Sequence, residues 1–578
     1  MTFASVSIAL TGSGGAGVMT AGQILLNAAA RAGYYGLMGR SLGPQIRGGE
    51  SVALLRFATW PIQGPDDAFN VLLAYDWLNI ERFLAELPLT SASLVVCDAA
   101  ESEVPAPVMA CGARVARLSL ADIAKGIPGG RANMVGLGVA AALVGLPPEP
   151  VREAVTDSLH GKGEADRSAG AAAIDAGFAA AGGLITSSPK LAVPPSAPGR
   201  RWSLTGNEAT GLGALRGGVR FTAAYPITPA TDVLEWLAPN LPKVGGILVQ
   251  AEDELASLAM CLGASFGGVP SLTATSGPGL ALMSEQIGLA IAAELPVVIV
   301  DVQRGSPSTG IPTKSEQGDL NLALFGTHGD APHVVVAATS ITDCLHVTEW
   351  AVHLAESLQT PVVVLSDQAL GQGRTIIDPP PTRIFTGHRR VAKIPLVDYN
   401  RYAITEDGIS PMSLPGMIGG TYTADGLEHS PRGMPSTRAD HHQQQLDKRA
   451  RKVTAFDYGS YWADIKDFGN GAPAGAVITF GSVTGPVHEA ASRLDAAGRA
   501  VRMIALRLLA PLQTRWLEEA LAGIQAVLIA EQNHGGQLYH YLRAWMHLPG
   551  RVQTFHRPGP LPLRPGEIES RILTLMDE

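Results

Sequence analysis

The stretch from Ala251 to Gly279, AEDELASLAMCLGASFGGVPSLTATSGPG, decides the fold of the central part of this chain. Its spacing predicts a helix that begins at Glu254 and ends at the glycine turn Gly267-Gly268. A strand is predicted over 271–275, and it leads into Gly277-Pro278-Gly279. Small residues recur on the predicted helix at helical spacing, namely Ala256, Ala259 and Gly263. A helix, a short turn and a strand in this order are typical of an open α/β sheet.

The glutamate and the Gly-Pro-Gly turn together resemble the pyrimidine-binding site of thiamine-diphosphate enzymes. In such a site the carboxylate bonds the ring nitrogen of the aminopyrimidine and favours the imino tautomer, which then removes the thiazolium proton. On this interpretation Glu254 is the catalytic residue and Gly277 contacts the cofactor. The pattern alone leaves a second interpretation open, a buried helix that carries one acid.

Composition excludes several classes of protein. The chain has 578 residues, which is enough for three or four domains, and 46% of them are hydrophobic, as in globular proteins. Only 16% are charged, and this low share indicates extensive buried interface. The net charge of −9 without a long basic run argues against a nucleic-acid partner.

Neither a membrane segment nor a metal site is expected. The longest apolar runs, 135–146 and 295–300, are too short to span a bilayer, and no charged-then-apolar leader pattern opens the chain, so we expect a cytoplasmic protein. The four cysteines are far apart and form no C-x-x-C pair. We therefore expect structural thiols, and no iron-sulfur cluster or structural zinc on this chain.

The order of strand and helix patterns predicts an α/β protein built from three open-sheet modules. The first module covers 1–185, and the proline- and serine-rich segment 186–200 reads as a linker. The second module covers 201–380. Residues 381–472 are polar and turn-rich, and we expect an ordered connection in which His441-His442 lies on a solvated loop. The third module and a tail cover 473–578.

Strands are predicted at 6–10, 246–250, 271–275, 297–301, 333–337, 361–366, 476–480, 501–506 and 526–530, and helices at 18–32 and 514–522.

A glycine loop, Gly12-Ser13-Gly14-Gly15-Ala16-Gly17, follows the first predicted strand and opens a helix. It satisfies the G-x-G-x-x-G pattern of dinucleotide-binding folds. No acid that could hold the ribose occurs before Glu50, whereas three arginines do, Arg31, Arg40 and Arg47. We therefore expect that NAD does not bind there. A tight strand-to-helix turn, a different anion and an interdomain contact remain open.

A series of motifs extends along nearly the whole chain. In order they are Gly12–Gly17, Gly43-Pro44-Gln45-Ile46-Arg47-Gly48-Gly49, Tyr225-Pro226-Ile227-Thr228-Pro229-Ala230-Thr231, RGSPSTGIPTK at 304–314, RYAITEDGISP at 401–411, DKRARK at 447–452 and EQNHGGQL at 531–538. With these motifs the chain resembles the alpha subunit of 2-oxoacid:ferredoxin oxidoreductases, in the form whose gamma domain is fused ahead of the alpha domains. It departs from the family pattern at Ala230-Thr231 and at Ser306.

The resemblance implies three modules: a gamma-type domain, a pyrimidine-binding domain and a transketolase C-terminal-like domain. It also implies a reaction, in which a 2-oxoacid and coenzyme A give an acyl-coenzyme A, carbon dioxide and two electrons for ferredoxin. A separate beta subunit should carry the cofactor's diphosphate, Mg²⁺ and an iron-sulfur cluster, in a dimer of heterodimers. The G-D-G motif with which thiamine enzymes bind magnesium diphosphate is absent from this sequence, since Glu406-Asp407-Gly408 and Asp425-Gly426 lack its first glycine.

Matching positions imply the site residues. Glu254 should activate the pyrimidine, and Thr228, Arg304 and Thr309 should meet the substrate. An arginine suits this role because its planar fork holds a carboxylate in two parallel hydrogen bonds. The segment 304–314 and EQGD at 316–319 most resemble the 2-oxoglutarate members of the family, which favours 2-oxoglutarate. The cofactor contacts implied are Tyr225, Pro226, Ile227, Glu254 and Gly277.

Two other functions are compatible with parts of the sequence. A self-contained thiamine-dependent decarboxylase would hold the diphosphate in its own chain, and the missing G-D-G motif argues against it. A nucleotide-binding or acyl-coenzyme A ligase-like protein would use the N-terminal glycine loop, with Glu254 as a structural residue.

Overall fold

The computed structural model of this chain describes residues 2–43, 49–101, 103–184, 188–194, 199, 201–382 and 385–578. The motif segment 44–48, with Arg47, lies outside the described residues, as do residues 186–187, 195–198 and 200 of the predicted linker. By contacts between residues the chain divides into two units. The first comprises Met1–Thr205, Gln372–Pro380 and Pro560–Gly566, and the second Gly206–Gly371, Pro381–Gly559 and Glu567–Glu578.

An eight-stranded mixed sheet forms the first unit. Across the sheet its strands are Arg114–Leu118, Leu94–Asp98, Val71–Ala74, Ser5–Gly12, Ser51–Ala58, Tyr35–Leu42, Arg374–Ile377 and Trp202–Thr205. The first four run parallel and the others pair antiparallel. The last two strands come from the part of the sequence assigned to the second module. Thr2–Phe3 and Lys190–Leu191 form a separate parallel pair.

The helices of the first unit follow its strands. They are Val18–Arg31, Ala106–Ala110, Leu120–Lys125, Ala132–Val144, Pro148–Ser158 and Glu164–Ala180. The first confirms the helix predicted at 18–32. Ala132–Val144 contains the apolar run that the sequence shows from residue 135, and almost all of its side chains are buried in the core. Within the described part of the chain, no helix is long and apolar enough to cross a membrane.

A seven-stranded sheet forms the centre of the second unit. Its strands, in order, are Ile247–Gln250, Phe221–Ala224, Ser271–Thr275, Val297–Gln303, Pro361–Asp367, Val334–Ala337 and Leu508–Ala510. All run parallel except the last. The five strands predicted for this part of the chain are all present, and Val297–Gln303, buried along its whole length, lies in the middle. The carboxyl ends of these strands meet at one edge, where open α/β sheets bind ligands.

A five-stranded sheet completes the second unit. Its order is Ala463–Phe468, Val501–Leu506, Gly475–Thr479, Ala526–Glu531 and Arg551–His556. The three predicted strands are its centre, and both edge strands went unpredicted because most of their residues are exposed or half-buried. Three open sheets therefore confirm the predicted α/β class.

The helices from Gly206 onward alternate with these strands. They are Gly206–Gly217, Thr231–Asn240, Glu254–Phe266, Gly277–Leu282, Ser284–Ala292, Leu320–Phe325, Asp343–Leu358, Gln368–Gln372, Ala439–Thr454, Thr484–Ala496, Thr514–Ala520, Gln537–Trp545 and Pro565–Asp577.

The prediction that His441-His442 lies on a solvated loop was wrong. Both residues lie on the helix Ala439–Thr454, which belongs to the segment predicted as a connection. Apart from Val453, the buried face of this helix consists of polar side chains, among them Gln445, Lys448 and Lys452. Because these residues are normally exposed, the hydropathy pattern gave no sign of a helix with a buried face.

Candidate functional site

Glu254 is the first residue of the helix Glu254–Phe266. Asp253 caps this helix, since its side chain accepts a hydrogen bond of 2.7 Å from the backbone N–H of Ala256. The Glu254 side chain is buried, with 6% of its surface exposed. A carboxylate in this position is stabilised by the helix dipole. The sequence therefore fixes Glu254 locally, through a cap and a helix start.

The Gly-Pro-Gly turn packs directly against this carboxylate. A Cβ atom at Gly279 would lie 2.7 Å from Oε1 of Glu254 and 2.0 Å from Oγ1 of Thr275, so only glycine fits. Among the described residues, none donates a hydrogen bond to the Glu254 carboxylate. A buried acid normally has such a partner. Glu254 is therefore placed to accept a hydrogen bond from a bound molecule.

The helix begins at Glu254, and Glu252 lies in the bend that precedes it, with an exposed side chain. Asp253 has to adopt an extended conformation to cap the helix, and this turns the chain out of the helix before Glu254.

The predicted substrate residues Thr228 and Arg304 meet at the carboxyl edge of the seven-stranded sheet. Thr228 lies in the turn after the strand Phe221–Ala224, and Arg304 directly follows Val297–Gln303. The Arg304 guanidinium, 5% exposed, donates a hydrogen bond from Nη1 to the backbone carbonyl of Thr228. Thr309 is exposed on the loop that Gly305 and Ile311 close by a β-bridge.

The predicted cofactor contacts occupy the same edge. Tyr225 is 40% exposed, whereas Pro226 and Ile227 are half-buried in the turn that leads to Thr228. Two other arginines of this module are engaged elsewhere. Arg216 forms a salt bridge of 3.0 Å with the buried Glu349, and Arg220 donates to the carbonyls of Leu215 and Val219.

Two buried acids, Asp301 and Asp319, were missed by the sequence reasoning. Asp301 lies within the strand Val297–Gln303 and is fully buried, and Asp319 is 6% exposed. Both oxygens of Asp301 and Oδ2 of Asp319 lack a hydrogen-bond partner among the described residues. The signal that could have found Asp301 is an acid inside an otherwise apolar strand.

Burial and mutual repulsion perturb these acids. Burial, followed by the charge of Asp319, raises the pKa of Asp301 well above its ordinary value, against the opposing effect of Arg304. Burial and the nearby Glu316 raise the pKa of Asp319 to about 6, again against Arg304. Burial lowers the pKa of Arg304, and both aspartates act to raise it. Such perturbed groups in one place are typical of functional sites.

The Gly-Pro-Gly turn connects the two groups of acids. A Cβ atom at Gly277 would lie 2.5 Å from both carboxylate oxygens of Asp319, while Gly279 packs against Glu254 in the same way. The backbone N–H of Asp319 donates a 3.0 Å hydrogen bond to the side-chain oxygen of Gln303. One short turn therefore separates Glu254 from the second acid cluster.

The segment Glu316-Gln317-Gly318-Asp319 is held by the EQNHGGQL motif of the five-stranded module. Gln317 and Gln532 form two reciprocal hydrogen bonds of 2.7 Å, from the backbone N–H of Gln317 to the carbonyl of Gln532 and from the backbone N–H of Gln532 to Oε1 of Gln317. Gln537 donates a further bond of 2.8 Å to the carbonyl of Gly318. The C-terminal module therefore fixes the loop that carries Asp319.

The glycine loop of the first unit holds an acid of its own. The carboxylate of Asp76 accepts hydrogen bonds from the backbone N–H of Ser13 at 2.9 and 3.0 Å and from the Ser13 hydroxyl at 2.8 Å. This carboxylate uses donors that a bound phosphate would need. The loop is a strand-to-helix turn tied to Asp76.

The residues around Glu254 fit the pyrimidine end of thiamine diphosphate, because a buried acid without a partner faces a glycine turn there. In the described part of the chain, no group of three or more His, Cys, Asp or Glu residues is arranged to hold a metal ion.

Two family models match the sequence. The thiamine-diphosphate-binding model of pyruvate flavodoxin/ferredoxin oxidoreductases matches residues 212–448. The pyruvate ferredoxin/flavodoxin oxidoreductase model matches residues 7–180. Glu254, the Gly-Pro-Gly turn, Thr228 and Arg304 all lie within the first match.

Three known proteins are similar over long stretches. The alpha subunit of 2-oxoacid:ferredoxin oxidoreductase 2 of Aeropyrum pernix is 30% identical over 608 aligned residues, which cover 93% of each chain. The 2-oxoglutarate synthase subunit KorA of Methanothermobacter marburgensis is 34% identical over 64% of this chain and 98% of its own. The structure of 2-oxoglutarate:ferredoxin oxidoreductase from Magnetococcus marinus, with 2-oxoglutarate, coenzyme A and succinyl-CoA bound, superposes with a TM-score of 0.92 at 35% identity, covering 99% of this chain and 100% of that chain.

Proposed function

The chain belongs to the alpha subunits of the 2-oxoacid:ferredoxin oxidoreductases, a family of multi-subunit enzymes, and from that premise we propose which reaction it serves. The proposed reaction is the oxidative decarboxylation of 2-oxoglutarate with coenzyme A. It gives succinyl-coenzyme A, carbon dioxide and two electrons, which pass to ferredoxin.

The observation that carries the proposal is the environment of Glu254. Its carboxylate is buried, has no hydrogen-bond donor among the described residues, and faces a turn in which only glycine fits. Thiamine diphosphate, when bound, supplies a carbanion that attacks the 2-oxo carbon. Glu254 would hold the protonated ring nitrogen of the pyrimidine, with Tyr225, Pro226, Ile227 and Gly277 as further contacts.

Arg304 and Thr228 are the proposed substrate residues. The Arg304 Nη1 atom is anchored on the carbonyl of Thr228, which leaves the rest of the guanidinium fork to bind a carboxylate. The Thr228 hydroxyl can donate to the 2-oxo group from a turn stiffened by Pro226 and Pro229. Thr309, on the exposed loop, would contact the substrate from the open side.

A beta subunit is the proposed source of the diphosphate and Mg²⁺ site and of the iron-sulfur cluster. Large apolar side chains are exposed on the Glu254 helix (Leu255, Met260), on the helix Gly277–Leu282 (Leu282) and on the loop after Arg304 (Ile311), where a partner could cover them; they are 42 to 54% exposed. Surfaces of this kind mark interaction sites. A dimer of heterodimers in the cytoplasm, with ferredoxin as the electron acceptor, completes the proposal.

The choice of 2-oxoglutarate over pyruvate rests on two relatives. The full-length structural neighbour has 2-oxoglutarate bound, and the M. marburgensis relative is a 2-oxoglutarate synthase subunit. The segment Glu316-Gln317-Gly318-Asp319, which resembles the 2-oxoglutarate members in sequence, lies beside the acid cluster at Arg304.

Co-expression tests the proposal. The chain is purified alone and together with its proposed beta subunit, and acyl-coenzyme A formation is followed with a dye acceptor for 2-oxoglutarate and for pyruvate. We expect turnover only with the beta subunit, and a higher kcat/KM for 2-oxoglutarate. Full turnover by the lone chain would refute the shared site, and a preference for pyruvate would refute the substrate assignment alone.

A further inference from the structure

Two acids and one cation are enclosed at the carboxyl end of the strand Val297–Gln303. Asp301 is fully buried, and Asp319 and Arg304 are 6% and 5% exposed. The Nε atom of Arg304 lacks a hydrogen-bond partner among the described residues, as do both oxygens of Asp301. An arginine that binds a substrate carboxylate does not need two buried acids near it, so the two aspartates call for a separate explanation.

The cluster lies on the same face of the sheet as the Glu254 site. Asp301 pairs in register with Thr275 of the neighbouring parallel strand, so their side chains project from the same face. Thr275 in turn packs against Gly279, which contacts Glu254. Asp319 packs against Gly277, at the other end of the same turn. The two acids therefore act on Arg304 through their charge, and Asp319 also packs against the Gly277-Pro278-Gly279 turn.

Charge balance decides the protonation state of the pair. Two buried carboxylates beside one guanidinium would leave one negative charge uncompensated, and an uncompensated buried charge is too costly to keep. Asp301 has neither solvent nor a donor for either oxygen, whereas Asp319 keeps 6% of its surface exposed and only its Oδ2 atom is both fully buried and without a partner. Asp301 is therefore the residue that keeps a proton.

We propose that Asp301 stays protonated at neutral pH while Asp319 is the carboxylate that balances Arg304, and that the two are positioning residues for the substrate-binding arginine and the Gly277-Pro278-Gly279 turn. The proposal rests on the proposed function, because it assigns Arg304 to the substrate carboxylate.

The direction of the pKa changes agrees with this assignment. Burial raises the pKa of Asp301 well above its ordinary value and that of Asp319 to about 6. As the pH falls through about 6, Asp319 takes up a proton and its negative charge no longer acts on Arg304. The other charged groups that face the cluster, on the elements packed around it, are Glu316, His534 behind Glu316, Asp367 on the next strand, and Glu254 across the turn.

Infrared spectroscopy of the holoenzyme tests the proton directly. At about pH 8, above the ordinary pKa of every carboxyl group, we expect a carboxylic-acid C=O band in the wild type that is missing from Asp301→Asn and unchanged in Glu252→Gln. Persistence of the full band in Asp301→Asn would overturn the proposal. This measurement needs no turnover, so its result is independent of whether the proposed reaction is right.

The kinetics of Asp301→Asn and Asp319→Asn test the positioning role. Asn resembles a protonated Asp, so kcat/KM of Asp301→Asn should stay within about threefold of the wild-type value. The acid limb of its kcat/KM profile should remain at about pH 6. Asp319→Asn should raise KM for the 2-oxoacid about 10- to 100-fold, with a smaller change in kcat, and should abolish that limb. An acid limb that persists in Asp319→Asn would overturn the assignment. If Asp319→Asn fails to assemble with the beta subunit, Asp301→Asn still decides, since a loss of most activity in that variant would contradict a neutral side chain at this position.

Discussion

A buried acid lies near each end of the strand Val297–Gln303, and the two acids differ in whether their carboxyl oxygens have hydrogen-bond donors. Glu294, three residues before the strand, is fully buried and is surrounded by cations. Asp301, near the other end, is just as buried and has no donor for its oxygens among the described residues. The same strand therefore separates a buried carboxylate with donors for both oxygens from a buried carboxyl group with none.

At the amino end, the buried Glu294 carboxylate has a hydrogen-bond donor for each of its two oxygens. The Glu294 carboxylate accepts hydrogen bonds from Nζ of Lys448 at 2.6 Å and of Lys452 at 3.1 Å, and Arg401 donates to the Glu294 backbone carbonyl at 2.8 Å. Burial alone would raise the pKa of Glu294, but the three cations outweigh burial and hold it well below the ordinary range. Burial lowers the pKa of Lys448 to about 8, against the effect of Glu294.

At the carboxyl end of the strand, both oxygens of Asp301 and Oδ2 of Asp319 have no hydrogen-bond partner among the described residues. Unpaired buried groups reduce stability, so a fold keeps them where a ligand or a reaction uses them. The comparison teaches that burial of charge alone does not mark a site. What distinguishes the site is a buried acid without a partner, and this criterion selects Glu254, Asp301 and Asp319 over Glu294.

The largest expected effect separates activity from stability at the carboxyl edge. Glu254→Gln should lower turnover by about 10²- to 10⁴-fold without disrupting the proposed complex with a beta subunit, because an amide is nearly as large as the carboxylate but does not favour the protonated ring nitrogen. Turnover and exchange of the thiazolium proton measure the loss.

Glu252→Gln is the matched control for Glu254→Gln, because Glu252 is exposed in the bend before the helix. It should behave as wild type. Loss of proton exchange in the Glu252 variant but not in the Glu254 variant would move the site by two residues. If neither variant lost exchange, the thiamine assignment would fail.

The next effect concerns stability at the amino end. Glu294→Gln should destabilise the chain by about 3 to 5 kcal/mol, because it leaves Lys448 and Lys452 buried without a counter-charge. The thermal unfolding midpoint reports the change. Asp440→Asn, on the helix that carries both lysines but in an exposed pair with Arg438, should leave the midpoint unchanged.

The difference in stability between the wild type and Glu294→Gln should depend on pH in a defined direction. The pKa of folded Glu294 lies below that of the unfolded chain, about 4.3, so its stabilisation is complete above that value and is lost as the pH falls through the folded pKa. The wild type should therefore exceed Glu294→Gln in stability most clearly at neutral pH. A deficit that grew towards acid pH would contradict the ion cluster.

Arg304→Lys is expected to have an intermediate effect, on function only. Lysine supplies a point charge in place of a planar fork, so KM should rise and kcat should fall, with a loss of about 2 to 4 kcal/mol in transition-state terms. Arg220→Lys is the control, since Arg220 contacts only backbone carbonyls in the described structure. Unchanged kinetics in Arg304→Lys would place the carboxylate site elsewhere.

The smallest effect is expected for Asp301→Asn, and it tests most directly whether Asp301 and Glu294 differ in ionisation. Asp301→Asn replaces a buried acid by its amide at the carboxyl end, as Glu294→Gln does at the amino end. Because Asp301 is proposed to be neutral, the substitution should change the free energy of unfolding by less than about 1 kcal/mol. A loss as large as that of Glu294→Gln would show that Asp301 is ionised and paired.

Local patterns were enough for much of the fold. The helix at Glu254 and the strand Ser271–Thr275 were found where the sequence predicts them, and Gly277-Pro278-Gly279 forms the first turn of the helix Gly277–Leu282. Elements with weak apolar patterns were missed, such as the four-residue strand Phe221–Ala224 and the edge strand Ala463–Phe468. Hydropathy reports a buried face only when apolar residues form it.

The sequence by itself determined the order of motifs, the α/β class, and Glu254 with its turn, because each depends on residues that are neighbours along the chain. Only the tertiary structure decided that Asp319 joins Asp301, and that Lys448 and Lys452 reach Glu294. The physical reason is that the ionisation of a buried group depends on which charges surround it in space. The fold brings those charges together from distant parts of the chain.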